Sequence, residues 1–122
     1  LPLYNLPVSA GGGVYLDGSD TEDITVVLNS RTAEADFALR VSGDSMEPLY
    51  SDGDILLVRE QNEVLLGQLG VFIGDGEGYF KKFGGDRLIS LNPQYDDIPM
   101  SSFTDVYCRG IVIGRLKRRT LF

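Results

Sequence analysis

The sequence predicts an all-β domain of short strands closed by one long C-terminal strand. Two observations carry this. Runs rich in β-branched and aromatic residues recur at short spacing, and Gly, Pro and Asp-Gly signals punctuate them. Only residues 45–50 have the makings of a helical turn. In chain order, residues 1–13 form an arm punctuated by Pro and Gly, with no helical period. Residues 14–122 are then a single domain. Its first strand is the β-branched run 23–28, and its second is 37–41. Strands at 55–59, 70–73, 79–83 and 87–91 follow. Glu77-Gly78 and Gly84-Gly85-Asp86 are read as the hairpin turns on either side of 79–83. The last strand, 106–116, contains Gly110 and Gly114, which predict bends or bulges.

Composition sets limits on function. A chain of 122 residues with 43% hydrophobic content is one globular domain, long enough for a real core. The net charge is −7, from 11 basic and 18 acidic residues. That argues against nucleic-acid binding by this segment alone, because phosphate contacts need clustered Lys and Arg. The basic cluster Arg115-Leu116-Lys117-Arg118-Arg119 reads as a solvated strand end. A single cysteine, Cys108, excludes an internal disulfide and suits a reducing cytoplasm. With no histidine, no Cys/His zinc cluster can form, and no metal or cofactor is expected. No apolar run approaches the roughly 20 residues that span a bilayer, and no signal peptide is visible. The chain begins at Leu1 rather than Met, so a fragment or processed product is expected.

The chemistry concentrates at Ser45, in Ser42-Gly43-Asp44-Ser45-Met46-Glu47-Pro48. This stretch follows the apolar run 37–41 and precedes the tight turn Asp52-Gly53-Asp54, itself read as structural. A serine at such a corner is lifted out of its strand. Without histidine a Ser-His-Asp triad is impossible, which leaves a desolvated lysine as the common activator. Lys81 and Lys82 are the candidates. On a strand Lys81 shares its face with Tyr79 and Phe83, and Lys82 shares its face with Phe80 and Gly84. The two flanking aromatics favour Lys81 as the buried one, although each face carries an aromatic.

These residues resemble the C-terminal self-cleaving domain of LexA, of phage repressors of the lambda CI type and of UmuD. These are serine peptidases of family S24 with a Ser-Lys dyad and a fold similar to that of signal peptidase. The resemblance rests on Ser42-Gly43-Asp44-Ser45-Met46, on Asp52-Gly53-Asp54 leading into Ile55-Leu56-Leu57-Val58, and on Lys81-Lys82-Phe83. It covers nearly the whole chain, from about Pro7 onward. The first lysine of the family's run is the catalytic one, so the resemblance implies Lys81, 36 residues after Ser45. The family cuts its own chain at a small-residue bond upstream of the serine. Ala10-Gly11, 35 residues before Ser45, is the matching bond here. Singly, these elements are commonplace: a polar turn, a solvated Lys-Lys pair, a flexible Gly-rich linker. Their order and spacing together make the signal specific.

The implied mechanism is autoproteolysis. An ordinary lysine, with a pKa of about 10.4, is neutral in only on the order of one molecule in a thousand near pH 7. Burial lowers that pKa by penalising the charged form. Neutral Lys81 would take the Ser45 proton, and Ser45 Oγ would attack the Ala10 carbonyl. Backbone N–H groups at Asp44 and Ser45 are the candidate oxyanion donors, and Val8 is the candidate anchor in an apolar subsite. Gly11 to Gly13 let the arm bend. The implied partners are a second copy of the chain, joined partly through 106–116, and a RecA-type filament acting as co-protease. DNA would be bound only through an N-terminal helix-turn-helix domain that precedes this segment.

Three residues depart from the pattern. Asp44 stands where LexA has an apolar residue, and it would raise the lysine pKa if it pointed inward. Tyr79 stands two residues before Lys81, in place of a smaller hydroxyl, and its phenol either orients the amine or packs. Three glycines after Ala10 loosen the arm. The alternatives are a silent dimerisation and sensing module of a phage-type repressor, or a UmuD-like polymerase accessory. A signal peptidase shares the dyad but normally carries a membrane anchor.

Overall fold

The computed structural model describes residues 1–7 and 21–116. Their strands form one nine-stranded sheet in the order β2-β1-β3-β4-β9-β5-β6-β7-β8. The strands are β1 (Pro2–Pro7), β2 (Thr21–Asp23), β3 (Phe37–Ser42), β4 (Ile55–Glu60), β5 (Leu69–Gly74), β6 (Glu77–Phe83), β7 (Arg87–Ile89), β8 (Ile98–Pro99) and β9 (Val106–Arg115). β1 and β3 run parallel, and the other neighbours pair antiparallel. The all-β expectation is met.

The period of two residues explains the packing. Val71 and Phe80 enter one core cluster with Phe37, Leu39, Val41, Met46, Leu56 and Val58. Their strand neighbours Phe72 and Tyr79 enter a second cluster with Val64 and Leu88. The centre of the sheet is therefore covered on both faces. Each fully buried Phe, Leu, Val or Met contributes about 1.5–3 kcal/mol.

Several elements differ from the sequence reading. The first half of the expected arm is strand β1, and Leu3 on it is fully buried. The strand expected over 23–28 ends instead at Asp23. Its partner β1 runs out there: Asp23 pairs with Pro2, and the Ile24 N–H closes on the Leu1 carbonyl. Val27 and Leu28 are consequently exposed. A short helix, α1 (Ser30–Glu34), follows. Asn29 caps it by accepting from the N–H groups of Arg31 and Thr32, both at 3.0 Å. The Thr32 hydroxyl accepts in return from the Asn29 N–H at 2.8 Å. Five residues are too few to show a helical period.

The β5–β6 turn is Asp75-Gly76, one dipeptide earlier than expected. Both residues have positive φ, at 50° and 85°, as a two-residue hairpin of this kind requires. The turn after β6 is where it was expected, closed by the Gly84 N–H on the Arg87 carbonyl, with Gly85 at φ 86°. β7 stops at Ile89, two residues short of the expected 87–91.

The long strand β9 is as expected, and its pairing register shifts twice, beside Gly110 and Gly114. A side chain at Gly110 would come within 2.6 Å of the Arg59 carbonyl oxygen. β9 lies between β4 and β5, pairing with β5 through its first half, from Val106 to Ile111, and with β4 through its second, from Gly110 to Arg115. No helix among the described residues is long and apolar enough to cross a membrane.

Candidate active site

Ser45 sits just past the end of β3, on a corner built by several fixings. Gly43 turns the chain with φ 91°, and its N–H donates to the Asp52 carboxylate at 2.8 Å. The Gly53 N–H returns to the Val41 carbonyl at 2.7 Å, and the Val41 N–H donates to the Asp54 carbonyl at 2.8 Å. The expected turn Asp52-Gly53-Asp54 thus braces the serine corner from behind. Met46, fully buried, plugs the corner into the core, and Tyr50 meets Phe80 edge-on at 5.1 Å. The Glu47–Pro48 peptide is cis. Residues 45–50 make a turn rather than a regular helix, with one helix-like bond from the Tyr50 N–H to the Met46 carbonyl.

Lys81 lies on β6, opposite Gly70 of β5. Its side chain is buried at 3% exposure, while Lys82 is half-buried. The Lys81 Nζ lies 3.0 Å from Ser45 Oγ, and Ser45 is fully buried. Two residues 36 positions apart are thus in hydrogen-bond contact in a site largely closed to water. Desolvation by burial pulls the Lys81 amine from its ordinary 10.5 down to about 8. At that value roughly a tenth of the amine is neutral near pH 7, several hundred times more than for an exposed lysine.

Sequence reasoning missed a second serine. Ser90, also buried, accepts a hydrogen bond from Lys81 Nζ at 2.9 Å. The hairpin register pairs Lys82 with Ile89 and Phe83 with Leu88, and so carries Ser90 across from Lys81. The Gly84-Gly85-Asp86 turn contained this information, since counting outward from it puts 90 opposite 81.

The segment after Ser90 grips the corner. The Asn92 N–H donates to the Ser45 carbonyl at 3.0 Å, and the Asn92 Nδ2 donates to the Asp44 carbonyl at 3.0 Å. The Tyr95 hydroxyl donates to the Asp44 carboxylate. Asp44 is therefore turned outward to Tyr95, and the conditional expectation that it would raise the lysine pKa does not apply. Tyr79 packs edge-on against Phe103 at 5.4 Å, with Glu77 beside its phenol.

A cleft of about 340 Å³ opens beside the pair, with Lys81 and Ser90 on one wall and the run 94–99 on the other. Arg115, from the basic cluster, stacks on Tyr50 at 4.9 Å and donates to Asp54 at 3.0 Å and to the Leu49 carbonyl at 2.6 Å. It ties β9 to the corner. Val8, Ala10 and Gly11 lie outside the described residues, as do residues 117–122.

The profile of the Peptidase S24-like family matches residues 2–113. The chain is similar to the LexA repressor of Mycobacterium leprae, 36% identical over 103 residues, 80% of this chain and 43% of that protein. Similarity to the LexA repressor of Syntrophomonas wolfei is 30% over 113 residues, 91% of this chain and 55% of that protein. For the LexA repressor of Mycobacterium tuberculosis it is 37% over 101 residues, 78% of this chain and 43% of that protein. The chain thus spans about half the length of these relatives.

Proposed function

The chain belongs to the Peptidase S24-like family, and we propose that it is the self-cleaving portion of a transcriptional repressor. The observation that carries this is the 3.0 Å contact between the buried Lys81 Nζ and the buried Ser45 Oγ. In this reading neutral Lys81 accepts the Ser45 proton as Oγ bonds to the Ala10 carbonyl carbon. The carbonyl electron pair moves to oxygen, which the Asp44 and Ser45 backbone N–H groups receive. The tetrahedral species collapses, the Ala10–Gly11 bond breaks, and Lys81 gives its proton to the leaving Gly11 amine. Water then releases Ser45.

The substrate is tethered, so its effective concentration is high without tight binding, and Val8 anchors it in an apolar subsite. Control falls to conformation and to a RecA-type filament that favours the cleavable form. The chain works as a dimer in the cytoplasm, and DNA is held by a helix-turn-helix domain elsewhere in the whole protein. Cleavage separates the dimer contact from the DNA-binding domains and relieves repression, because two half-sites need two linked domains. The relatives named LexA repressor support this reading.

The test is mass spectrometry of the chain after incubation from pH 7 to pH 10, beside Ser45→Ala, Lys81→Ala and Lys82→Ala. The expected result is a pair of fragments split at Ala10–Gly11 that grows with pH, is lost in the first two variants and is kept in the third. An intact wild-type chain at every pH would favour the silent dimerisation module, or an arm that needs a partner to reach Ser45. Gel filtration gives a dimer on this reading, and a monomer at micromolar concentration would remove the dimer from it.

A further inference from the structure

Resting on the Ser45–Lys81 reading, we infer that Ser90 is a positioning residue that aims the Lys81 amine at Ser45. A lysine amine is a compact group at the end of a four-carbon stem, free to spin about its last bond. One hydrogen bond leaves that rotation loose. Lys81 has two: Ser45 Oγ at 3.0 Å and Ser90 Oγ at 2.9 Å. They come from different parts of the chain, the corner after β3 and the end of β7. Held by an N–H donated to Ser90, the neutral amine keeps its lone pair toward the Ser45 hydroxyl. When the Ser45 O–H bond breaks and its proton joins Nζ, the ammonium retains the same bond to Ser90. Little reorganisation is then needed during the step.

Ser90 is itself fixed. It is 7% exposed, lies opposite Lys81 in the hairpin register, and is followed two residues later by Asn92, which holds the Ser45 and Asp44 carbonyls. The segment from Ser90 to Asn92 therefore sets the base and the nucleophile relative to each other. Gly70 across the β5 ladder presents no side chain, and Tyr95, Asp96 and Asp97 line the far wall of the cleft. Among the described residues, Asp44 is taken by Tyr95.

The role has a signature that packing alone lacks. A hydroxyl that accepts from the amine stabilises its charged form. Ser90→Ala should therefore lower the plateau cleavage rate by about tenfold to a hundredfold through misalignment. It should also move the midpoint of the pH–rate curve below pH 8. Ser90→Thr, which keeps the hydroxyl, should restore both, and Ser90→Val should restore neither. Circular dichroism of each variant checks that it is folded. Ser90→Ala with the wild-type plateau and midpoint would overturn the inference, as would Ser90→Val as fast as Ser90→Thr.

A second readout needs no cleavage. In the Ser45→Ala background, which cannot cut itself, an NMR titration of the Lys81 amine should give a lower pKa when Ser90→Ala is added than without it, and an unchanged pKa would overturn the inference. An inert wild-type chain would count against self-cleavage, and the titration would still judge Ser90.

Discussion

The serine and the lysine are held in place by opposite means. Lys81 stands on β6, laddered to Gly70 of β5 and next to the short β6–β7 ladder that Lys82 and Phe83 make. Its position follows from local signals: alternation along the strand, a Gly-Gly-Asp turn, and an Asp-Gly turn with both residues at positive φ. Ser45 stands on an irregular corner with no ladder of its own. What fixes it comes from farther along the chain: Asp52 on Gly43, Asn92 on Ser45 and Asp44, and Tyr95 on Asp44. In the proposed reading the base needs a rigid, dry place, which a strand inside a sheet supplies. The proposed nucleophile must leave the sheet, so its backbone bonds have to be replaced one at a time.

Substitutions on the two supports should therefore behave differently. The largest effect on stability belongs to the lysine. Its depression from 10.5 to about 8 is worth up to about 3 kcal/mol, at about 1.4 kcal/mol for each tenfold change in proton affinity. The folded chain holds that proton less tightly than the unfolded chain does. The penalty is thus fully present below pH 8 and fades as the pH rises toward 10.5. Lys81→Met, which keeps the apolar stem, should raise stability to urea at pH 7 by up to that amount and lose the advantage by about pH 11. Equal stability at both pH values would mean that the amine is not desolvated.

On the corner, Asn92→Ala removes the Nδ2 bond to the Asp44 carbonyl and should slow cleavage about tenfold or more, with a stability loss of about 1–2 kcal/mol. On the hairpin, Gly85→Ala forces a side chain into φ 86° and should cost a similar 1–2 kcal/mol in urea unfolding. Its cleavage rate should change less than twofold, because the ladder still sets Lys81. If Gly85→Ala slowed cleavage as much as Asn92→Ala, the contrast between the two supports would fail. The smallest effect is expected for Tyr95→Phe, which loses an exposed bond to Asp44. Its cleavage rate should fall no more than a few-fold, read by the same mass assay.

Legibility in the sequence follows the same division. The strands around Lys81 were readable because period and turn chemistry are local, and the buried face of Lys81 followed from its aromatic neighbours. The strand expected over 23–28 failed because its length is set by β1, a partner whose end no local pattern announces. The five-residue α1 was too short to show a period. Ser45 was readable by its turn residues and by family resemblance. Its props were not, since Asn92 and Tyr95 act across 48 and 51 residues. Ser90 lay between these cases: the turn was read correctly, and only the register count was missing.

The central claim is that Lys81 gives up its proton readily in the folded chain. Its most direct measurement is an NMR titration of ¹³C-labelled lysine in the Ser45→Ala chain, which cannot consume itself. Of the three lysines, Lys81, Lys82 and Lys117, Lys81 is assigned by its loss in Lys81→Met. A Lys81 amine titrating near pH 8 or below, since this variant also removes a hydroxyl that accepts from it, is the predicted result. A Lys81 amine titrating near 10.5 would leave Ser45 without a base and contradict the account.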